Sequence, residues 1–303
     1  MAMIAAIALL LDVLIGWPAW LYARIGHPVT WMGRLISALD RALNRGGARR
    51  LRGALAAVLV VAAAVIPAAF AQIWMGPWVA AVLAWPLVAA RSLDDHVRAV
   101  ARPLAAGDLA GARAATAMIV GRDVTRADEA ALARASIESL AENASDGVIA
   151  PLFWAAIGGL PGIAAYKAIN TLDSMIGHRT PRHEAFGTFA ARLDDVANLI
   201  PARLTAALLV LVAGRGARRA AGCALSDAAR HRSPNAGWPE AAMAGALGVR
   251  LSGPRQYGDR IAPEPWLNEG ARDPGAADLG RALRIYRRAV VLMGVALLAF
   301  WAV

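Results

Sequence analysis

The feature of this sequence that most constrains its fold is a series of apolar stretches, several of them close to membrane-spanning length. One helical crossing of a bilayer takes about 20 apolar residues. The stretches cover residues 1–20, 53–74, 76–90, 147–169, 196–213 and 289–303. Of the 303 residues, 58% are hydrophobic and 18% charged. The sequence therefore predicts one all-α domain, 1–303: a polytopic integral membrane protein with about four to six membrane-associated helices, some broken or re-entrant.

The positive charge of the chain is concentrated beside these apolar stretches. The net charge is +10, and arginines cluster at 41–52, 215–219 and 284–288. Such clustering is typical of cytoplasmic loops of membrane proteins and gives no reason to expect nucleic acid as a partner. The helical stretches 91–146 and 214–288 are predicted to be the main connections on the soluble, cytoplasmic side. A turn at 72–77 would then lie outside.

Two apolar stretches leave the topology open. GGLPG interrupts 147–169 at its centre, and 196–213 contains Pro201 and Arg203. Two true crossings satisfy the arginine distribution, but they place residues 170–195 outside. Broken helices at membrane depth also occur where the backbone lines a cavity or is buried by protein. Two re-entrant or partly inserted helices would instead keep every polar motif on the cytoplasmic side.

The soluble connections are predicted to be helical. Residues 108–120 form one predicted helix, and 125–143 form another, opened by a capping box that starts at Thr125. On the second helix Arg134, Glu138 and Glu142 share a face, which predicts either a solvated row of ion pairs or the delivery of polar groups to 147–169. A further helix is predicted to begin at Pro239, since proline suits a first helical turn. Loops are predicted over 251–281.

Lys167 is the single lysine among 32 cationic residues, and it lies in the apolar stretch GIAAYKAIN. Cations inside membrane segments are candidates for function. The alternative is that Lys167 has its stem in lipid and its ammonium group in water. Lysine, unlike arginine, offers a compact ammonium group that suits a phosphate or an acyl group.

The remaining polar residues form clusters of acids, amides and arginines. Carboxylates and amides suit a hard cation such as magnesium holding phosphates. Asp194 and Asp195 cannot be equivalent on a regular helix, where neighbours point about 100° apart, so one should face the site while the other caps or pairs with Arg192. The single Cys223 is predicted to be a packed small side chain, and no zinc site is expected.

Taken in order, the motifs are LDVLIGWP, GHPVTWMGRLI, VGRDVTRADE, ESLAENASDGVIAPLFWAAIGGLPGIAAYKAINTLDSMIGHR, RLDDVANLIPARLT and HRSPNAGWPEAAMAGALGVRLSGP. This series closely resembles the membrane-bound adenosylcobinamide-phosphate synthase family of cobalamin biosynthesis, over nearly the whole chain. The resemblance implies an ATP-dependent amide ligase that uses magnesium. It would join the free propionate of adenosylcobyric acid to aminopropanol or its O-phosphate, giving adenosylcobinamide or its phosphate.

Under this resemblance the motif residues fall into three expected groups. Expected catalytic residues are Lys167, Glu142, Asp146, Asn170 and Asp173. Expected substrate-binding residues are His27, Arg122, Asp123, Glu138, Asn143, Arg179, Arg192, Asn198, Arg203, Asn235, Trp238 and Glu240. Expected magnesium ligands are Asp146, Asp173, Asp194 and Asp195. Proton transfer is expected of Glu138, Glu142 or His27.

The expected partners are the corrinoid, the amine, membrane lipid and other cobalamin-biosynthesis enzymes, at the cell inner membrane with the site facing the cytoplasm. Trp31, Trp154 and Tyr166 also suit a corrinoid-binding face, although an interfacial aromatic belt is the better explanation for each of the two tryptophans taken alone. Two rival functions stay open. A membrane transporter would place its polar residues near mid-span, and an inactive membrane sensor would have lost the acid and amide motifs.

Overall fold

The computed structural model describes residues 1–257, 260–262 and 264–302, and within this range the chain is predominantly helical. The helices are α1 Ala2–Ile15, α2 Ala19–Ile25, α3 Pro28–Leu43, α4 Arg49–Ala84, α5 Ala90–Ala105, α6 Leu109–Ala117, α7 Glu129–Asn143, α8 Ala150–Leu172, α9 Thr188–Val212, α10 Ala217–Asp227, α11 Gly237–Leu247 and α12 Ala276–Ala302. Short antiparallel pairs join β1 Leu251–Ser252 to β4 Trp266–Leu267, and β2 Arg255–Tyr257 to β3 Arg260–Ala262.

The chain divides into two compact units. Unit 1 contains Met1–Ala89, Ala150–Asn198 and Gly294–Val303, and unit 2 contains Ala90–Ile149 and Leu199–Met293. The C-terminal residue 303, the last of the stretch 289–303, lies outside the described residues.

The membrane-spanning prediction is confirmed. Four helical stretches are long and apolar enough to cross a membrane: Arg49–Ala105, Glu129–Gly177, Thr188–Val212 and Ala276–Ala302. The pair Ala2–Ile15 and Ala19–Leu43, bent by 111°, would make a fifth. The chain is thus an all-α polytopic membrane protein, as the apolar stretches predict.

Helix α8 reverses direction at the GGLPG sequence. Gly159 has the non-helical angles φ 62° and ψ −144°. An added Cβ on Gly162 would lie 2.2 Å from the carbonyl oxygen of Trp154, whereas residues eight apart in a straight helix are separated by about 12 Å. The Gln72 side chain accepts a hydrogen bond from the Leu160 N–H at 2.7 Å, which satisfies a backbone group at the break. The stretch 147–169 is therefore not one straight crossing.

Two other apolar stretches contain a glycine or proline that can interrupt a helix, and the outcome differs between them. Helix α4 has a non-helical residue at Gly76, with φ 79° and ψ 175°, where the sequence predicts a turn. Helix α9 continues through Pro201, and the Thr205 hydroxyl donates to the Pro201 carbonyl at 2.8 Å. The stretch 196–213 is thus part of one continuous helix.

Within unit 1, the segment before α9 is fixed to the connection between α3 and α4. The Arg182 guanidinium donates to Asp40 Oδ2 through Nε at 3.1 Å and Nη2 at 2.6 Å. Asn44 and Arg49 both donate to the Arg182 carbonyl. We call this set of contacts the Asp40 junction. The N-terminal turn of α4 and the segment 178–187 consequently lie together.

Three details of the soluble connections correct the sequence predictions. Helix α7 begins at Glu129, because the Asp128 carboxylate caps it by accepting from the Ala131 N–H at 2.8 Å; the Thr125 capping box is wrong. Helix α11 begins at Gly237, two residues before Pro239. The stretch 251–281 contains the four strands and the start of α12 rather than loops alone. Within it, residues 258, 259 and 263 lie outside the described residues.

Candidate functional site

The predicted site residues fall into both units. Unit 1 contains His27, Lys167, Asn170, Asp173, Arg179, Arg192, Asp194, Asp195 and Asn198. Unit 2 contains Arg122, Asp123, Glu138, Glu142, Asn143, Asp146, Arg203, Asn235, Trp238 and Glu240.

Three carboxylates gather in unit 1, where α8 ends and α9 passes. Asp173 opens a π-helical turn, Asp173–Gly177, and any Cβ on Gly177 would come within 1.9 Å of Asp173 Oδ1. Asp194 and Asp195 are both close enough to Asp173 to interact with it electrostatically. Because like charges repel, such a group favours a bound cation.

Asp194 and Asp195 are not equivalent, as predicted. Asp194 is 9% exposed, whereas Asp195 is only partly buried and lies near Arg192. On α9, Asp194 shares a face with Asn198 because the two are four residues apart. The buried aspartate is therefore the one directed into the protein.

A chain of hydrogen bonds leads to Asp194 from α8. The Tyr166 hydroxyl donates to Asn198 Oδ1 at 2.9 Å, and Asn198 Nδ2 donates to Asp194 Oδ2 at 3.0 Å. Tyr166 and Asn198 are each 1% exposed. The Asn170 side chain also lies close to this carboxylate, but Asp194 Oδ1 is buried and has no hydrogen-bond partner of normal geometry. A buried carboxylate oxygen without a partner is costly, so this atom fits a cation ligand.

Lys167 lies on α8 next to Tyr166 and six residues before Asp173. Its ammonium nitrogen is 3.5 Å from Asn170 Oδ1, and the side chain is half-buried. It is also close enough to His27 for an electrostatic interaction. The ammonium group thus lies among polar groups of unit 1, and a functional role for Lys167 stays a prediction.

His27 has a structural role in the fold. Its Nδ1 accepts a hydrogen bond from the Val29 N–H at 3.2 Å and caps α3, while its ring also hydrogen-bonds the Pro86 backbone. Both ring nitrogens are thereby engaged with the backbone. Substrate binding by His27 stays a prediction, but proton transfer would require one of these bonds to open.

In unit 2, Glu138 joins α7 to the strands. Its Oε2 accepts from Arg122 Nη2 at 3.0 Å, and its Oε1 accepts from the Ser252 N–H at 2.7 Å. Arg134, one turn earlier, pairs with Asp273 and stacks over the Trp266 ring at 4.8 Å. The predicted row of ion pairs along α7 is therefore wrong for these two residues, because their partners come from 251–273.

Other predicted residues of unit 2 lie at the end of α7 and in the turn before it. Glu142 and Asn143 are exposed, and Asp146 is half-buried in the π-helical turn Ala144–Ile149. Asp123 accepts from the Thr125 N–H at 2.9 Å, and this hydrogen bond lowers the pKa of the Asp123 carboxyl. Asp123 therefore stabilises a local turn, whereas Glu142 has an accessible side chain.

A second polar group in unit 2 surrounds the start of α11. The Arg203 guanidinium stacks over Trp238 at 4.7 Å, and its Nη1 lies 3.5 Å from Asn235 Oδ1. His231 Nε2 lies 3.8 Å from Glu240 Oε1, with both side chains nearly inaccessible. The structure thus brings together the four residues predicted here and adds His231, which the sequence analysis did not select.

Comparison with known proteins gives the family. The profile described as CobD/Cbib protein matches residues 5–286. The chain belongs to the CobD/Cbib family. It is 58% identical over 298 residues to the "Cobalamin biosynthesis protein CobD" of Rhodobacter capsulatus, covering 96% of this chain and 95% of that protein. The protein of the same name from Brucella suis is 48% identical over 309 residues, with 96% and 94% covered. No solved structure matches.

Membership of the CobD/Cbib family supports a role in cobalamin biosynthesis, in agreement with the resemblance of the motifs. The sequence motifs did not indicate three of the contacts described above: that of Tyr166 with Asn198, that of His231 with Glu240, and the Asp40 junction. The HRSPN motif contains His231, but its partner Glu240 lies nine residues later, beyond the loop.

The carboxylate oxygens of unit 1 are of the chemical type that binds magnesium. Among the described residues, no three His, Cys, Asp or Glu side chains are arranged to hold a metal ion by themselves. Magnesium, however, is usually bound through one or two carboxylates and completes its octahedron with water and phosphate oxygens. The unpartnered Asp194 Oδ1, with Asp173 beside it, provides such a pair. The fourth predicted ligand, Asp146, belongs to unit 2.

Proposed function

We propose that this chain forms the amide bond between the free propionate carboxylate of adenosylcobyric acid and aminopropanol or its O-phosphate. The reaction would consume ATP and require magnesium. Its product would be adenosylcobinamide or its phosphate. Membership of the CobD/Cbib family supports the pathway. The observation that supports the chemistry is the buried Asp194 carboxylate, with its unpartnered oxygen beside Asp173.

The reaction needs an activated carboxylate. Transfer of the terminal phosphoryl group of ATP to the propionate gives an acyl phosphate and ADP; the amine then attacks the carbonyl carbon, inorganic phosphate leaves, and the nitrogen loses a proton. Bound magnesium would neutralise charge on the phosphates. Asp173 and Asp194 would hold it, while the Lys167 ammonium group would bind a phosphate oxygen.

Unit 2 offers groups for the other substrate functions. The Arg203 guanidinium and Asn235 amide can bind carboxylate, phosphate or corrinoid amide oxygens, since both carry N–H donors. Trp238 adds an aromatic face. Of the residues expected to transfer protons, Glu142 is exposed, whereas Glu138 accepts two hydrogen bonds inside the fold. We therefore propose Glu142 as the base that receives the proton of the amine.

We further propose that the protein lies in the cell inner membrane with its site facing the cytoplasm, where ATP is available. The Asp40 junction supports this orientation. It joins the segment 178–187, which follows Asp173, to the arginine-rich connection 44–49. Arginine-rich connections of this kind are typical of the cytoplasmic side.

The decisive experiment is turnover by the purified protein with adenosylcobyric acid, ATP, magnesium and either amine, with products resolved by mass. Asp173→Asn and Asp194→Asn should each lower turnover sharply and alter its magnesium dependence, since each removes a charged ligand while keeping the shape of the side chain. Asp108→Asn is the matched control, because Asp108 is exposed and caps α6, where asparagine caps equally well. Wild-type turnover and magnesium response in both site variants would exclude these ligands.

The same preparation separates the rival functions. A transporter would move corrinoid across vesicle membranes without forming an amide. An inactive sensor would bind corrinoid and release it unchanged. Conversion of both substrates with stoichiometric ADP and phosphate would exclude both alternatives.

A further inference from the structure

The hydrogen-bonded chain from Tyr166 through Asn198 to Asp194 has a fixed donor direction. The Tyr166 hydroxyl donates to the oxygen of the Asn198 amide, so the amide nitrogen must face Asp194 Oδ2. A flipped amide would turn its oxygen towards the carboxylate, which repels it. The acceptor-only carboxylate therefore selects this direction of the Asn198 amide, and the hydrogen bond from Tyr166 holds the amide in it.

The direction of the amide in turn determines the orientation of the carboxylate. With Oδ2 held at 3.0 Å by Asn198, the second oxygen, Oδ1, is left without a hydrogen-bond partner of normal geometry, even though the Asn170 side chain lies close to the carboxylate. Asp194 is 9% exposed, so bulk water does not compensate for this atom. Asp173 lies close enough to interact with the same carboxylate. Tyr166 is on α8 and Asn198 on α9, so the chain also links the two helices that carry these acids.

We infer that Tyr166 and Asn198 are positioning residues that hold Asp194 in the one orientation in which Oδ1 and Asp173 bind a divalent cation together. This inference rests on the proposed magnesium-dependent function and adds to it two residues that act through Asp194. It assigns Asn198, expected from the sequence to bind substrate, to the support of a metal ligand. Outer partners of this kind orient ligating carboxylates and strengthen metal binding.

The test is a titration of Mn²⁺, as a probe for magnesium, into the purified full-length protein, with and without a non-hydrolysable ATP analogue. Tyr166→Phe removes only the hydroxyl. It should raise the Mn²⁺ dissociation constant by about 10-fold or more, in the range found for outer partners of metal ligands. Asn198→Leu, similar in size but without the donor, should weaken binding at least as much.

Tyr286→Phe is the matched control. Tyr286 is 2% exposed, and its hydroxyl donates to the Ala90 carbonyl at 2.8 Å in unit 2. This change also removes a buried hydroxyl, so it should lower the melting temperature without altering Mn²⁺ affinity. A general loss of stability would therefore affect both tyrosine variants, whereas loss of positioning affects Mn²⁺ binding in Tyr166→Phe alone.

A double variant identifies Asp194 as the residue through which Tyr166 acts. In the Asp194→Asn background, Tyr166→Phe should cause no further loss of Mn²⁺ affinity, since the oriented ligand is already gone. An equal loss in both backgrounds would overturn the inference. So would wild-type Mn²⁺ affinity in Tyr166→Phe, in Asn198→Leu, or in both.

The metal titration does not depend on turnover, so its failure is distinguishable from that of the proposed function. A wild-type protein that makes the amide but binds no Mn²⁺, with or without the nucleotide analogue, overturns the inference and leaves the reaction standing. Weakened binding in Tyr166→Phe by a protein that never forms the amide supports the positioning role and excludes the proposed reaction.

Discussion

Gly53 of α4 packs against the backbone of the segment before α9, and replacing it tests how the two are held together. A Cβ added at Gly53 would lie 1.8 Å from the Phe186 carbonyl oxygen, 2.8 Å from its carbonyl carbon and 3.1 Å from its Cα. The obstacle is backbone, which cannot rotate away as a flexible side chain can. Gly53→Ala therefore forces α4 and the segment 178–187 apart.

The size of the effect follows from these distances. Carbon and oxygen in close contact are about 3.3 Å apart, so one methyl group requires a shift of about 1.5 Å at this contact. Such a shift disturbs the nearby Asp40 junction, where Arg182 Nη2 lies 2.6 Å from Asp40. Overpacking of this kind costs about 1–3 kcal/mol, which lowers a melting temperature by roughly 3–10 °C.

The assay is thermal unfolding of the purified protein in detergent, followed by the change in helical signal. Gly222→Ala is the control, because Gly222 lies within α10 and an added Cβ there meets nothing within 4 Å. That change should stabilise the protein by up to about 1 kcal/mol, since alanine is the better helix former. A Gly53→Ala protein as stable as the wild type would refute the close packing of α4 on Phe186, and with it the support for the proposed sidedness.

Three further predictions concern the site, the topology and the pH response. Lys167→Arg should insert normally but lose amide-forming activity by about 100-fold, because the bulkier guanidinium displaces the reacting groups by about 1 Å; unimpaired turnover at limiting ATP would indicate that the residue only extends towards water. Ser174 is exposed, so a cysteine that replaces it in a Cys223→Ser background tests the topology. This cysteine should react with a membrane-impermeant thiol reagent only after the membranes are opened. Labelling in intact cells would place this segment outside. Hydrogen bonds from Arg250 hold the pKa of Asp273 below its usual value. These bonds therefore stabilise the folded protein above the unfolded-state pKa of about 3.9, and this stabilisation is lost as the pH falls through the lower folded-state pKa. Melting temperatures measured from about pH 5 to about pH 3 should therefore fall further for the wild type than for Asp273→Asn, and parallel curves would contradict this.

Several features of the fold and of the site could be predicted locally. The inequivalence of Asp194 and Asp195 follows from helix geometry alone, and the structure buries the first more than the second. The breaks at Gly76 and Gly159 follow from glycine and proline inside apolar stretches. Cys223 is packed and 8% exposed, as a small side chain in an apolar setting should be.

Other features depend on partners that are remote in the sequence. On α7 alone, Glu138 shares a face with Arg134, yet its Oε1 accepts from the Ser252 N–H, 114 residues later. Asp40 meets Arg182 across 142 residues. No periodicity within a helix contains these pairings, so neither the partners of Glu138 nor the pairing of Asp40 could be predicted from the sequence pattern.

The sequence by itself determined that this chain is a helical membrane protein, where its helices break and which polar residue types it offers for chemistry. These properties depend on the length of apolar stretches and on backbone preferences, which act over a few residues. Tertiary structure alone decided that α8 folds back on itself, that Tyr166 reaches Asn198, and that one oxygen of Asp194 is left without a partner. Burial and hydrogen bonding between separate helices decide which polar groups are already satisfied and which can bind a ligand.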